Sequence, residues 1–138
     1  MSDPAGANGC VGGSATFTVG VSGSGPFSYQ WRANGLEIDP GLNPSAAMQT
    51  LTLNGLNGLD AASYDCVIDN ACGSVTSGGA VLSICVADIN CDGGVDLRDV
   101  EAFFAVWEAG EPLGDVNVDG GVDYADVEAF FARWEGGC

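Results

Sequence analysis

The sequence lacks histidine and lysine altogether, and its three basic residues stand against 19 acidic ones, so that the formal net charge is −16 over 138 residues. A chain with so few basic side chains is not expected to bind nucleic acid or anionic lipid, because phosphate binding depends on such groups. The absence of histidine removes the usual base of nucleophilic enzymes, and the Ser and Asp residues of the N-terminal part lie in turn-like segments. We therefore expect a protein that is not an enzyme.

Two further absences concern membranes and zinc. No apolar run reaches the roughly 18 residues of a membrane span, and residues Met1 to Pro4 form neither the basic segment nor the apolar core of an export signal. If the protein is secreted, the sequence is expected to be a mature product or an excerpt of a longer chain. The cysteines include no CxxC pair, which together with the missing histidine disfavours zinc.

The six cysteines and 22 glycines favour a disulfide-containing protein that is secreted or lies at the cell surface. The sequence alone does not choose among the possible pairings of Cys10, Cys66, Cys72, Cys85, Cys91 and Cys138. Acidic residues are concentrated after residue 87, where 13 of the 19 occur. This shift in composition predicts two domains, at residues 1–86 and 87–138.

Residues 10–85 alternate between short strand-like runs and turns, as antiparallel sheets require. Strands are predicted at residues 14–21, 27–33, 36–38, 50–53, 63–69 and 74–84. Asn34-Gly35 lies between two of these runs and is a strong hairpin signal, because both residues tolerate positive φ. The N-terminal domain is therefore predicted to be an all-β sandwich.

Several segments of this domain resemble a bacterial immunoglobulin-like domain, and they cover Tyr29–Gly35, Leu51–Leu53, Asp60–Cys66, Asn70–Gly73 and Val81–Ile84. The resemblance implies that Trp31 is the buried core tryptophan and Tyr64 the corner tyrosine that precedes the strand cysteine, Cys66. In the family pattern the strand-B cysteine, which would pair with Cys66, falls on Val19, so that Cys66 lacks its usual partner. The partner of Cys10 stays open among Cys66, Cys72 and Cys85.

The C-terminal part repeats itself with a period of 27 residues, and residues 88–99 align with residues 115–126. Calcium takes about six to eight oxygen ligands, and a loop of about 12 residues supplies them from positions 1, 3, 5, 7, 9 and 12. Glycine at position 6, here Gly93 and Gly120, allows the sharp turn. The predicted ligands of two calcium ions are Asp88, Asn90, Asp92, Gly94 (through its carbonyl), Asp96 and Asp99 in the first loop, and Asp115, Asn117, Asp119, Gly121 (through its carbonyl), Asp123 and Asp126 in the second.

Calcium is favoured over two alternatives. A helix-capping turn would explain one such loop but not two in register, and magnesium demands near-ideal octahedral geometry and keeps its waters. Because four carboxylates in each loop repel one another, we expect the ions to stabilise the fold rather than to act as a signal.

The two loops, each followed by an apolar helix pattern, resemble a dockerin domain. That family duplicates a calcium loop and helix, lacks the entering helix of an EF-hand, and has Asp at position 12. The resemblance implies an all-α, non-catalytic module of two EF-hand-like motifs that binds a cohesin-like β-sandwich. The family's partner contacts correspond here to Leu97, Arg98, Phe104 and Ala105 in one repeat and to Tyr124, Ala125, Phe131 and Ala132 in the other.

Aromatic residues recur at spacings i, i+1 and i+4 in both helix patterns, at Phe103, Phe104 and Trp107 and at Phe130, Phe131 and Trp134. This spacing places them in one stripe on each helix. A module of this size has little else to bury, so at least half of them are expected in the core. The remainder, one Phe per helix, is expected to form an exposed docking patch.

These observations predict an extracellular interaction protein, with a dockerin-like module for calcium-dependent docking or anchoring and an immunoglobulin-like domain as a spacer or adhesion module. Its partner is expected to be cohesin-like or an immunoglobulin-like sandwich, including another copy of this chain. One alternative is a structural subunit whose copies bind head to tail into a filament. The other is a C-terminal fragment of a secreted enzyme.

Overall fold

The computed structural model describes residues 1–136 and consists of eight strands followed by two α-helices. The strands are β1 (Ala7–Cys10), β2 (Ser14–Thr18), β3 (Ser28–Ala33), β4 (Leu36–Glu37), β5 (Thr50–Asn54), β6 (Ser63–Asn70), β7 (Gly73–Thr76) and β8 (Ala80–Cys85). The helices are α1 (Leu97–Glu108) and α2 (Tyr124–Gly136). Short 3-10 helices occupy Pro44–Ala47, Gly58–Asp60 and Pro112–Gly114.

The chain divides into two compact units. The first contains residues 1–7, 15–53 and 62–83, and the second contains residues 8–14, 54–61 and the part of the chain from Ile84 onward. The second unit therefore takes in three short segments of the predicted N-terminal domain, residues 8–14, 54–61 and 84–86. The predicted boundary between residues 86 and 87 stays a prediction.

The strands form two sheets, which confirms the predicted β-sandwich. One sheet has the order β1-β8-β6-β3-β4, with β7 also paired to β6, and the other contains β2 and β5. The predicted hairpin joins β3 to β4, with Ala33 opposite Leu36. Its two turn residues, Asn34 and Gly35, have φ values of 50° and 82°, which is the conformation that favours this pair of residues.

The core of the first unit contains the predicted tryptophan and tyrosine. Trp31 is fully buried, and its indole N–H donates to the carbonyl of Met48 at 2.8 Å. Tyr64 is also buried, and its ring stacks on that of Phe17 with the ring centres 5.1 Å apart. Val19, which takes the position of the family's cysteine, is fully buried as an ordinary apolar core residue.

The predicted strand at residues 74–84 is in fact two strands. β7 pairs with the second half of β6, at Val67–Asn70, whereas β8 pairs with its first half, at Ser63 and Tyr64. Buried Ser77 lies between them and binds the backbone of Cys66 through its N–H and its hydroxyl oxygen, each at 2.9 Å. Two glycines follow Ser77 and allow the chain to turn away from the ladder. β1 was not predicted.

The second unit is built around two stacked phenylalanines. Phe103 in α1 and Phe130 in α2 are fully buried, and their parallel rings lie 4.2 Å apart. Buried apolar residues from the loops complete this core, at Val86, Ala87, Ile89 and Val116. Phe104 and Phe131 are half-buried against the same core, so that each repeat contributes one fully buried and one half-buried phenylalanine.

The disulfide of Cys10 corrects the pairings considered from the sequence. Cys10 is bonded to Cys91, with the Cα atoms 5.7 Å apart, and not to Cys66, Cys72 or Cys85. The reason is the path of β1, which pairs with β8, the strand that leads into the first acidic loop, and so ends beside that loop.

The other cysteines differ in their surroundings. Cys85 is also disulfide-bonded, whereas Cys66 is a buried free thiol and Cys72 an exposed one. Cys138, whose pairing the sequence leaves open, lies outside the described residues. Neither helix within residues 1–136 has the length and hydrophobicity that crossing a membrane requires.

Candidate metal centre

The first acidic loop folds around its own carboxylates. Asp88 accepts hydrogen bonds from the backbone N–H groups of Asp92 at 3.1 Å and Gly93 at 3.0 Å. The Asn90 side chain accepts from the N–H of Asp92, and the Asp92 side chain accepts from that of Gly94. The glycine at position 6, Gly93, has φ of 91°, a conformation that side chains disfavour. The residue types at positions 1, 3, 5 and 6 thus define the path of the loop.

Three carboxylates of this loop converge. One oxygen each of Asp88, Asp92 and Asp99 lies within 4.8 Å of the others. Asp99 is fully buried and Asp88 is 6% exposed. Within residues 1–136 the salt bridge present joins Arg32 to Asp65 in the first unit, so that no basic side chain pairs with these three carboxylates. Like charges at this separation repel, and a cation between them would relieve the repulsion.

The second loop repeats this geometry closely. Asp115 accepts from the backbone N–H groups of Asp119 at 3.1 Å and Gly120 at 3.0 Å, as Asp88 does in the first loop. The backbone φ angles at positions 4 and 6 also match between the loops. Cys91 and Val118 both have φ of 59°, and Gly93 and Gly120 have φ of 91° and 94°. The two loops therefore share one backbone conformation although one carries a disulfide at position 4.

The two loops differ at position 5. The Asn117 amide donates to the free carboxylate oxygen of Asp119 at 2.9 Å, whereas Asn90 makes no such bond to Asp92 in the described residues. Among residues 1–136, three converging carboxylates are found in the first loop and not in the second. Asp115 is half-buried while its counterpart Asp88 is buried. The first loop is thus closer to a ligand arrangement than the second.

Positions 9 and 12 join each loop to its helix. Asp96 is the N-cap of α1 and accepts from the N–H of Arg98 at 2.8 Å. Asp99 accepts from the N–H groups of Asn90 at 3.2 Å and Asp96 at 2.8 Å, which completes a capping box. Asp123 and Asp126 repeat these bonds at the start of α2. The backbone around positions 3 and 9 therefore depends on the buried carboxylate at position 12.

The donor atoms suit a hard cation. Each loop offers carboxylate, amide and backbone oxygens, and the nearby sulfur, that of Cys91, is part of a disulfide. A carboxylate has about four acceptor positions, and the buried Asp99 and Asp126 each use two of them on backbone N–H groups. The remaining positions are available to a ligated ion. These residues fit calcium better than zinc or a soft metal.

The family model of the immunoglobulin I-set domain matches residues 3–82. The chain belongs to the immunoglobulin I-set family. The match ends before the acidic loops, and the two helices that follow are compatible with the predicted dockerin-like module. No curated protein matches the chain.

The I-set domain is also similar to solved structures of tandem immunoglobulin domains. An I-band fragment of titin is 28% identical with a TM-score of 0.52, and the match covers 60% of this chain and 30% of that one. The N-terminal Ig1-2 module of the Drosophila receptor protein tyrosine phosphatase DLAR is 29% identical with a TM-score of 0.51, covering 61% and 46% respectively. The chain thus spans less than half the length of either structure.

The predicted partner contacts lie on the surface of the second unit, separate from the sequence covered by the I-set domain. Leu97 and Tyr124 at position 10 are 72% and 70% exposed. Arg98 and Ala125 at position 11 are exposed as well, and Phe104 and Phe131 are half-buried. Leu97 and Tyr124 thus occupy equivalent positions of the two repeats and are both exposed.

Two structural features of this unit were missed by the sequence reasoning. The indole N–H of Trp107 donates to the carbonyl of Asp123 at 2.7 Å, and that of Trp134 donates to the carbonyl of Asp96 at 3.3 Å. The recurrence of tryptophan at the same place in both repeats was the signal that pointed to them. The other missed feature is the disulfide at Cys91, for which the sequence carries no local signal.

Proposed function

We propose that this chain is a non-catalytic, extracellular, calcium-binding interaction protein. Its dockerin-like module, residues 87–138, holds two calcium ions and docks onto a protein partner, and its I-set domain acts as a spacer or adhesion module. The observation that carries this proposal is the convergence of Asp88, Asp92 and Asp99 within 4.8 Å with no basic residue paired to them in the described chain.

The ligand set supports calcium in particular. Calcium prefers six to eight oxygens at about 2.3 to 2.6 Å in a flexible arrangement, and carboxylates, side-chain amides and backbone carbonyls alternate along each loop. Asp at position 12 is shorter than the usual Glu, and in the first loop the buried Asp99 lies at the start of the helix with a carboxylate oxygen within 4.8 Å of those of Asp88 and Asp92. The ion would offset the repulsion among these carboxylates, so that its binding stabilises the fold.

The interaction role rests on the two units together. Immunoglobulin domains generally mediate protein contacts or separate other domains, and the similar titin and DLAR structures are tandem arrays of such domains. The docking face would be formed by exposed Leu97 and Tyr124, with Arg98, Ala125, Phe104 and Phe131 around them. A cohesin-like or immunoglobulin-like β-sandwich, including that of another copy of this chain, suits such an apolar face.

Calorimetric titration with calcium tests the metal-binding proposal. The wild-type chain is expected to bind about two ions and to prefer calcium over magnesium. Asp92→Asn and Asp119→Asn form a matched pair, because both residues are exposed, occupy position 5 and accept one backbone N–H. Each variant is expected to bind calcium more weakly at its own loop, since a neutral amide oxygen replaces a charged ligand oxygen.

Asp69→Asn serves as the control for charge, because Asp69 is exposed and lies on β6 outside both loops. It is expected to bind two ions like the wild type. A wild-type chain that binds no calcium, or position-5 variants that behave like the control, would refute the proposed metal sites.

A further inference from the structure

Each helix of the second unit carries a tryptophan that contacts the loop before the other helix. Trp107 lies in the last turn of α1, and its indole N–H donates to the carbonyl of Asp123 at 2.7 Å. Trp134 lies near the end of α2, and its indole N–H donates to the carbonyl of Asp96 at 3.3 Å. The two hydrogen bonds are equivalent under the sequence repeat. Each loop is therefore bonded to the helix that follows the other loop.

The acceptor carbonyls belong to the residues at position 9. The Asp96 carbonyl also accepts the N–H of Asp99 at 3.1 Å, and the Asp123 carbonyl accepts that of Asp126 at the same distance. Each indole therefore binds the backbone that carries the position 9 side chain and sets the first turn leading to position 12. A shift of the indole would move two of the proposed ligands together.

The aromatic residues around the indoles pack each tryptophan against its own helix. Phe103 and Phe130 stack face to face at 4.2 Å and are fully buried. The ring of Phe104 meets that of Trp107 edge-on at 6.3 Å, and Phe131 meets Trp134 in the same way at 6.3 Å. Close packing of this kind transmits displacements rather than absorbing them.

We propose that Trp107 and Trp134 are positioning residues that couple the two calcium sites, so that an ion in one loop raises the affinity of the other. This inference rests on the proposed calcium-binding function. Ligation through Asp96 and Asp99 fixes the start of α1, and Trp107 at the end of that helix then holds Asp123 in the second loop. The reverse path runs from Asp123 and Asp126 through α2 and Trp134.

The expected coupling is about tenfold in affinity. Coupling between sites is typically about 5- to 150-fold, and two neutral hydrogen bonds support the lower part of this range. Because linkage is reciprocal, each loop must raise the affinity of the other by the same factor. Reciprocity makes the inference testable from both directions.

The test is a calcium titration of the full chain monitored by NMR. The amide signals of Gly93 and Gly120 report on the first and the second loop respectively. Asp92→Ala removes a ligand side chain from the first loop and is expected to weaken calcium binding at the second loop about tenfold. Asp119→Ala removes the equivalent side chain and is expected to weaken calcium binding at the first loop by the same factor. The double variant Trp107→Phe with Trp134→Phe keeps an aromatic ring at each position, though a smaller one, and removes the N–H donors. In this variant both effects are expected to fall below twofold.

Trp31→Phe is the matched control, because Trp31 also donates its indole N–H to a backbone carbonyl, that of Met48 at 2.8 Å, but in the first unit. It is expected to leave the coupling unchanged. If the double tryptophan variant fails to fold, each single variant is expected to reduce the coupling to about threefold.

Three results separate the possibilities. Two ions that bind independently in the wild type overturn the coupling while leaving the proposed function intact. Coupling that persists at about tenfold in the Trp107→Phe and Trp134→Phe variants overturns the role of the indoles. A wild-type chain with no calcium-dependent change at either glycine overturns the proposed function itself.

Discussion

Removal of the Cys10–Cys91 disulfide is expected to lower the free energy of unfolding by about 4.5 kcal/mol. The two cysteines are 81 residues apart in sequence, so that the bond closes a long loop in the unfolded chain. In the chain-entropy treatment the loss grows with the logarithm of loop length, and a loop of this size costs the unfolded state about 15 cal/mol/K. The stabilisation therefore comes from restricting the unfolded chain and does not require contacts of the sulfurs.

The double variant Cys10→Ser with Cys91→Ser measures this quantity in urea, with saturating calcium in all samples and unfolding followed by tryptophan fluorescence. Substitution is preferable to reduction, because a reductant would also cleave the disulfide of Cys85. With a urea dependence of about 1–3 kcal/mol per molar, the midpoint is expected to fall by about 1.5 M or more.

Cys72→Ser is the control, because Cys72 is exposed and unpaired, and its stability is expected to stay within about 0.5 kcal/mol of the wild type. A loss below about 1 kcal/mol in the double variant, with native circular dichroism, would contradict the entropic reasoning. It would mean that the unfolded chain already keeps these two segments close together.

Two further predictions concern the free thiols and the proposed docking face. Burial raises the pKa of the Cys66 thiol to about 11. An alkylating reagent is therefore expected to modify Cys72 at pH 8 but Cys66 only near pH 11 or after unfolding, and peptide mass spectrometry measures both. Since the folded state holds this proton more tightly than the unfolded state, the free energy of unfolding should fall as the pH rises from about 9 to about 11. Equal alkylation of both thiols at pH 8 would contradict the burial of Cys66. Leu97→Ser with Tyr124→Ser is expected to leave calcium affinity within about twofold, because both side chains are exposed and neither is a proposed ligand. If the partner is another copy of the chain, sedimentation should show calcium-dependent association, which a chelator and this double variant should each abolish. A wild-type chain that stays monomeric at all concentrations would exclude the filament.

Sequence reasoning was most successful where the determining interactions are local. The Asn34-Gly35 hairpin follows from the positive φ that both residues adopt. The turn at Gly93 has the same origin, and so do the hydrogen bonds by which Asp88 holds the N–H groups just ahead of it. In each case the residues concerned lie within a few positions of one another, so that spacing alone constrains the geometry.

The same reasoning failed where the structure depends on which distant segments of the chain come together. The predicted strand at residues 74–84 is divided at Ser77, because β6 offers its two halves to two different strands. The partner of Cys10 was not found, since β1 was not predicted and its end lies beside Cys91 only after it pairs with β8.

The sequence by itself therefore determined the type of each domain: an immunoglobulin-like β-sandwich, and two acidic loops whose repeated spacing predicts calcium. Only the tertiary structure decided how the repeats are joined, through stacked Phe103 and Phe130 and through the indoles of Trp107 and Trp134 that reach across to the opposite loops. The physical reason is the range of the interactions. Ligand spacing and turn conformation are set within a dozen residues, whereas a ring stack, an indole bond or a disulfide depends on where distant segments come together in space.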